Sequence, residues 1–193
     1  MLRDKSVWII SYGFFAGFAI IIGLTGILET LLPSLGIPAS LGLSNPVVIT
    51  QTLILSLGII GALVISGVSD KVQRRKPFLI LALLMGAITT LILATSTNVM
   101  LTYIIAALLG FFLISVMPIA LSTQEELKSV GPQLSGASAG LAFEFGNLGG
   151  FLGLIILEAL VVGTSYFYSI LFLFIATLIA TGLVLFIPET GRR

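Results

Sequence analysis

The chain reads as long apolar runs separated by short polar breaks, and the runs have the length a bilayer demands. The first, over about 7–31, crosses roughly 30 Å of hydrocarbon at about 1.5 Å per helical residue, with some tilt. Further transmembrane helices are predicted over about 46–67, 77–94, 99–121, 135–162 and 166–187. The breaks carry turn chemistry. Residues 32–45 contain Pro33, Pro38 and no charge, the make-up of an outer loop. Pro46 and Pro77 stand where the second and third helices begin, a position at which a missing N–H costs nothing. Ser96-Thr97-Asn98 and Gly163-Thr164-Ser165 read as tight outer turns, and Pro118 predicts a kink at the inner end of the fourth helix. The stretch 123–134 (TQEELKSVGPQL) is polar and amphipathic, so it is expected as an inner loop or surface helix. Gly13, Gly17, Gly23 and Gly26 thin one side of the first helix, and the fifth is the most glycine-rich; both patterns suit close helix contact.

Composition sharpens this picture. The chain is 58% hydrophobic, with a mean hydropathy of +1.21, more apolar surface than a water-soluble domain of this size hides. The first apolar run is too long for the core of a signal peptide and lacks a small-residue cleavage site, so it reads as a retained span. A net charge of +1 excludes nucleic-acid binding driven by bulk charge. With no Cys and no His, disulfides, thiolate metal sites and the commonest general base are absent, and no cofactor is implied.

Charge fixes the orientation. Arg3, Lys5, Lys71, Arg74, Arg75, Lys76, Lys128, Arg192 and Arg193 all fall on one side of a six-span plan. Lys and Arg are retained on the cytoplasmic side, so both termini are expected there. Four of these residues crowd the turn Gly67-Val68-Ser69-Asp70-Lys71-Val72-Gln73-Arg74-Arg75-Lys76-Pro77.

That turn resembles the one between the second and third helices of each half of major facilitator superfamily transporters, G-x-x-x-D-R/K-x-G-R/K-R/K. Asp70, Lys71, Arg74 and Arg75 match by position, while Ser66 and Gln73 replace its two glycines. The order of other motifs is similar to the second half of these proteins: Leu2-Arg3-Asp4-Lys5 with Val7-Trp8; Gly131-Pro132 through Gly136-Ala137-Ser138-Ala139-Gly140 and Gly146-Asn147-Leu148-Gly149-Gly150; and the ending Pro188-Glu189-Thr190-Gly191-Arg192. The resemblance covers nearly the whole chain. It implies an all-α integral membrane fold of six helices, half of a major facilitator-type architecture built from inverted three-helix repeats, here as a single transmembrane domain over 1–193. It also implies a gating role for Asp70 with Lys71, Arg74 and Arg75: the carboxylate would meet the positive end of a fifth helix across the boundary between halves, a contact worth about 0.3–1 kcal/mol.

The residues themselves single out Glu144. Counting about 1.5 Å per residue from Ser135 puts it about 14 Å into the membrane. A carboxylate there faces a cavity or a partner, or carries a proton, and is a functional candidate by default. Its bland alternative is a protonated carboxyl bonded to a neighbouring carbonyl. Asn147, one turn on, shares its face. Gln51, Tyr12 and Tyr103 are weaker candidates for a cavity wall, since a lone Gln or Tyr more often ties helices together. Glu29 and Glu158 lie near outer helix ends, where water solvates them. Glu125 and Glu126 read as a solvated loop. Gly136-Ala137-Ser138-Ala139-Gly140 matches the serine-hydrolase elbow formally, but that motif needs a strand before it and a base beside it; small residues at this spacing read as helix packing.

The expected function is secondary transport of a small solute by alternating access, with Glu144 as the candidate for proton coupling and no enzymatic role. Six helices enclose one wall of a cavity, so a second six-helix unit, a copy or a separate chain, is the expected partner beside the lipid bilayer, and the plasma membrane is the expected location. The alternatives are a non-transporting membrane scaffold and a fragment of a twelve-helix transporter.

Overall fold

The computed structural model describes residues 1–38, 40 and 42–191. Among these, six helices are long and apolar enough to cross a membrane: Lys5–Ser34, Pro46–Val72, Lys76–Leu93, Val99–Glu125, Gly131–Ala159 and Phe167–Val184, here spans one to six. Local chemistry sets their ends. Asp4 caps span one through Ser6 N–H at 2.8 Å, and Asn45 caps span two through Val47 N–H at 3.0 Å. Asn98 accepts from Met100 N–H and Leu101 N–H at 2.9 and 3.2 Å to start span four. Each side chain takes up donors that a helix start leaves without partners. Gly163, with φ +61, turns the chain between spans five and six, closed by an isolated bridge between Val162 and Ser165.

Several boundaries differ from the sequence expectation. Span one runs through Pro33, because a proline in the last turn forfeits only its own N–H bond. It also contains a π segment, Ala19–Leu24, followed by Thr25, whose hydroxyl donates to the Ile21 and Ile22 carbonyls. Span two extends past Gly67 to Val72, so Asp70 and Lys71 belong to its last turn. It stops at Gln73, which adopts φ 55. The stretch 123–134 does not form an element of its own. Span four takes Thr123 to Glu125, span five starts at Gly131, and a short turn joins them. Span four breaks between Leu113 and Val116, one turn before Pro118, because the proline has no N–H for the Ile114 carbonyl.

Packing is organised by pairs. Span two lies along span four, span one along span five, and span three along span six. Exchanging spans one to three with four to six swaps the first two pairs and leaves the third unchanged, the pattern of two inverted three-helix repeats. Glycine brings the pairs together. A Cβ on Gly61 would lie 1.9 Å from the Phe111 carbonyl oxygen and one on Gly110 2.0 Å from that of Ile54. In the other pair, a Cβ on Gly149 would meet the Phe15 oxygen at 2.2 Å. Of the four span-one glycines, Gly23 and Gly26 pack against Leu157 and Leu154, whereas Gly13 and Gly17 have nothing within 4 Å of a built Cβ. The core between the pairs is aliphatic and aromatic, with Ile10, Phe14, Ile20, Leu24, Leu28 and Leu83 fully buried. Arg192 and Arg193 lie outside the described residues; the other seven basic residues are all at the end that carries the N-terminus.

Candidate functional site

The charged end is a joined structure rather than a loose turn. Arg75 contacts the Asp70 carboxylate at the end of span two, and its Nη2 reaches Glu126 Oε1 at 3.0 Å, between spans four and five. The arginine side chain is 12% exposed and Asp70 59%, so the guanidinium is the pivot and the carboxylate keeps a free side. Burial by itself would lower the guanidinium pKa; the hydrogen bonds and charges of Glu126 and Asp70 outweigh it and raise the value further. Glu189 Oε1 accepts from Arg75 N–H at 2.7 Å and Lys76 N–H at 3.1 Å, an anion at the N-terminus of span three. Lys76 Nζ donates in return to the Leu185 and Ile187 carbonyls at 2.6 and 3.0 Å, a cation just beyond the C-terminus of span six. Both placements complement the helix dipoles. Ser69 Oγ donates to the Arg74 carbonyl at 2.7 Å and fixes the turn from within. Lys71 and Arg74 are exposed and make no ion pair among the described residues.

Nearby, Asp4 accepts from Ser129 Oγ at 2.6 Å. This bond is the main reason its carboxyl titrates below the usual range; the Ser6 contacts add to it, while burial works against it. Beside the junction opens a cleft of about 1000 Å³, lined by Asp4, Arg75, Glu125, Glu126, Lys128 and Glu189 among others. A second hollow of about 310 Å³ lies at the opposite end, between the ends of spans one and three and the start of span six. The ends of spans one and three and the start of span six that line it correspond, under the same exchange, to the ends of spans four and six and the start of span three around the cleft, but none of its described lining residues is charged.

Glu144 is the fourteenth residue of the 29-residue fifth span. Its level is marked by neighbours in span one: a Cβ on Gly146 would touch the Phe18 ring at 3.1 Å, and Gly149 abuts Phe15. Both Glu144 and Asn147 are exposed on one face, and neither side chain makes a hydrogen bond or ion pair among the described residues. Gly136 and Gly140 continue this face toward the charged end. Nothing lies within 4 Å of a Cβ built on either, so within this unit they pack against no helix, contrary to the packing read from the sequence.

The other candidates point elsewhere. Gln51 Nε2 donates to the Thr25 carbonyl at 3.1 Å, tying span two to span one just past the π segment. Tyr12 donates to the Ala176 carbonyl in span six at 3.4 Å. Tyr103 is half-buried in span four, and Glu29 and Glu158 are exposed near the far ends of spans one and five. The roles of Glu126, Glu189 and Lys76 escaped sequence reading. Glu126 looked like solvated loop, and Glu189 and Lys76 acquire partners more than a hundred residues distant.

The profile described as Major Facilitator Superfamily matches residues 1–154. An uncharacterized protein of Archaeoglobus fulgidus is 28% identical over 160 residues, 83% of this chain and 70% of that protein. A match over most of the chain, on a bundle of six paired membrane-length helices with the charged turn in the expected place, has one consequence: the chain belongs to the major facilitator superfamily.

Proposed function

We propose that this chain is a six-helix half of a secondary transporter that pairs with a second six-helix unit, a copy of itself or a separate chain, and moves a small solute by alternating access. The observation that carries this reading is the bare face of span five. Glu144 and Asn147 stand mid-span without a partner, on a face where Gly136 and Gly140 leave the backbone open. A carboxylate is not held against hydrocarbon, so this face is expected against a water-filled cavity and a second wall. The relative from Archaeoglobus fulgidus supports a free-standing unit of this size. The excess of Lys and Arg supports a cytoplasmic position for the charged end.

In this scheme Glu144 takes up a proton when the cavity opens on one side and releases it on the other. Asp70, Lys71, Arg74 and Arg75 form the inner gate. The free side of Asp70 is available to the start of span five in the opposing unit, while Arg75 keeps the carboxylate in place. Assembly is the first test. In nanodiscs, mass photometry should find two six-helix units per particle, and tryptophan at Gly140 should dissociate them. A transport-active particle with a single unit would contradict the scheme, because one wall cannot alternate access.

A further inference from the structure

The face that bears Glu144 has a chemistry narrow enough to select the solute, granted the transport reading above. Glu144 is its only charge near mid-span; Glu158, on the same side, is exposed near the far end of the span. Every basic residue within the described spans, Lys5, Lys71 and Lys76, lies at the charged end, so none reaches mid-span. A second copy of the chain would bring no basic group either. An anionic solute at this level would be desolvated beside a carboxylate with nothing to compensate it. A neutral polyol would find few hydrogen-bonding groups, Asn147 and the carboxyl itself, and would leave most of its hydroxyls unpaired.

The same face carries two exposed phenylalanines beside the aliphatic Leu148 and Ile155. Phe143, 38% exposed, stands edge-on to Phe14 with centroids 5.5 Å apart and to Phe18 at 6.4 Å, so its ring is braced from behind by span one. Phe151, 65% exposed, lies one turn beyond Asn147. Toward the charged end, nothing lies within 4 Å of a Cβ built on Gly136 or Gly140, so the helix backbone there is open to the outside of this unit. A ring face attracts a cation, and more strongly once water is excluded. We infer that the solute is an organic cation with an apolar body, its charge against Glu144 and Asn147 and its apolar part against Phe143 and Phe151.

Two ions of matched size and opposite charge make the test. Tetraphenylphosphonium and tetraphenylborate should be titrated by equilibrium dialysis against the protein in nanodiscs, as wild type, Glu144→Gln and Glu144→Asp. Adsorption to lipid is common to all three proteins and cancels in the comparison. Wild type should bind the cation about tenfold or more tightly than the Gln variant, the worth of one desolvated charged contact. Asp, which keeps the charge, should retain most of that difference, and the borate, repelled by the carboxylate, should bind wild type no more tightly than the Gln variant. Cation binding that is equal in wild type and Glu144→Gln, or borate binding that is tighter to wild type than to Glu144→Gln, overturns the inference. Labelled tetraphenylphosphonium flux in proteoliposomes, taken in excess of the flux across protein-free liposomes that this lipophilic ion crosses unaided, separates the two readings. Glu144-dependent binding with no flux supports the solute class and sinks the transport reading. Proton-driven flux with binding indifferent to Glu144 keeps the transport reading and overturns the assignment of the solute's charge to Glu144.

Discussion

At the scale of single residues, two substitutions separate strain from fit. Gln73 ends span two with φ 55, where an L residue crowds its own carbonyl and glycine does not. Gln73→Gly should stabilise the protein by about 1 kcal/mol, read as a rise in thermal midpoint; an unchanged or lower midpoint would show that the Gln side chain contributes something unseen. The glycines divide more sharply. Gly149→Ala drives a methyl into the Phe15 carbonyl at 2.2 Å and should separate spans one and five, costing about 3 kcal/mol or more. Gly17→Ala meets nothing within 4 Å and should be neutral or stabilising by up to about 1 kcal/mol, from the better helix propensity of alanine. Equal effects of the two would refute the packing described for the span pairs. All these glycines look alike in sequence. Gly13 and Gly17 were as plausible at the contact as Gly23 and Gly26, because which side a glycine presents depends on the π segment that rotates the helix between the two pairs.

At the scale of elements, helix number and order were legible, because bilayer thickness imposes a length that composition reveals directly. Boundaries in the polar stretches were less so. Span five begins four residues earlier than its apolar run, since Gly131 and Pro132 start a helix whatever follows. The charged turn was legible as a turn, but its wiring was not. Arg75 is held by Glu126, and the span-three start by Glu189, through contacts that only the folded bundle creates. This wiring bears on the gate. Asp70→Asn removes a mostly exposed charge, so the stability change should stay below about 1 kcal/mol. Its functional effect should be larger: a cysteine placed at Ser135, on the wall of the charged cleft, should label faster as the inner side opens more often. Labelling at the parental rate would reduce Asp70 to a topology signal.

For the whole molecule, the pairing of spans one with five and two with four shows a symmetry that the sequence hides. The two repeats share geometry and little side-chain identity, since lipid and neighbouring helices ask only for apolar bulk and small contact residues. The asymmetry between them is chemical. One end of the bundle is bound together by Arg75, Lys76, Glu126 and Glu189, and the hollow at the other end has no charge among its described lining residues. Between the ends, the position of Glu144 was visible in the sequence as a lone carboxylate within an apolar run. Its exposure was not, because helical phase relative to the bundle is decided by packing. Proton-coupled movement of a solute through a cavity walled by this face is the central claim, and Glu144→Gln in proteoliposomes tests it most directly. With a pH gradient imposed, the variant should fail to accumulate solute, and exchange between equal inside and outside pools should persist only at solute concentrations raised to offset its weaker binding, because the amide neither loads nor unloads a proton. Accumulation by Glu144→Gln at the parental level, with the parental pH dependence, would contradict the account and leave Glu144 a structural group.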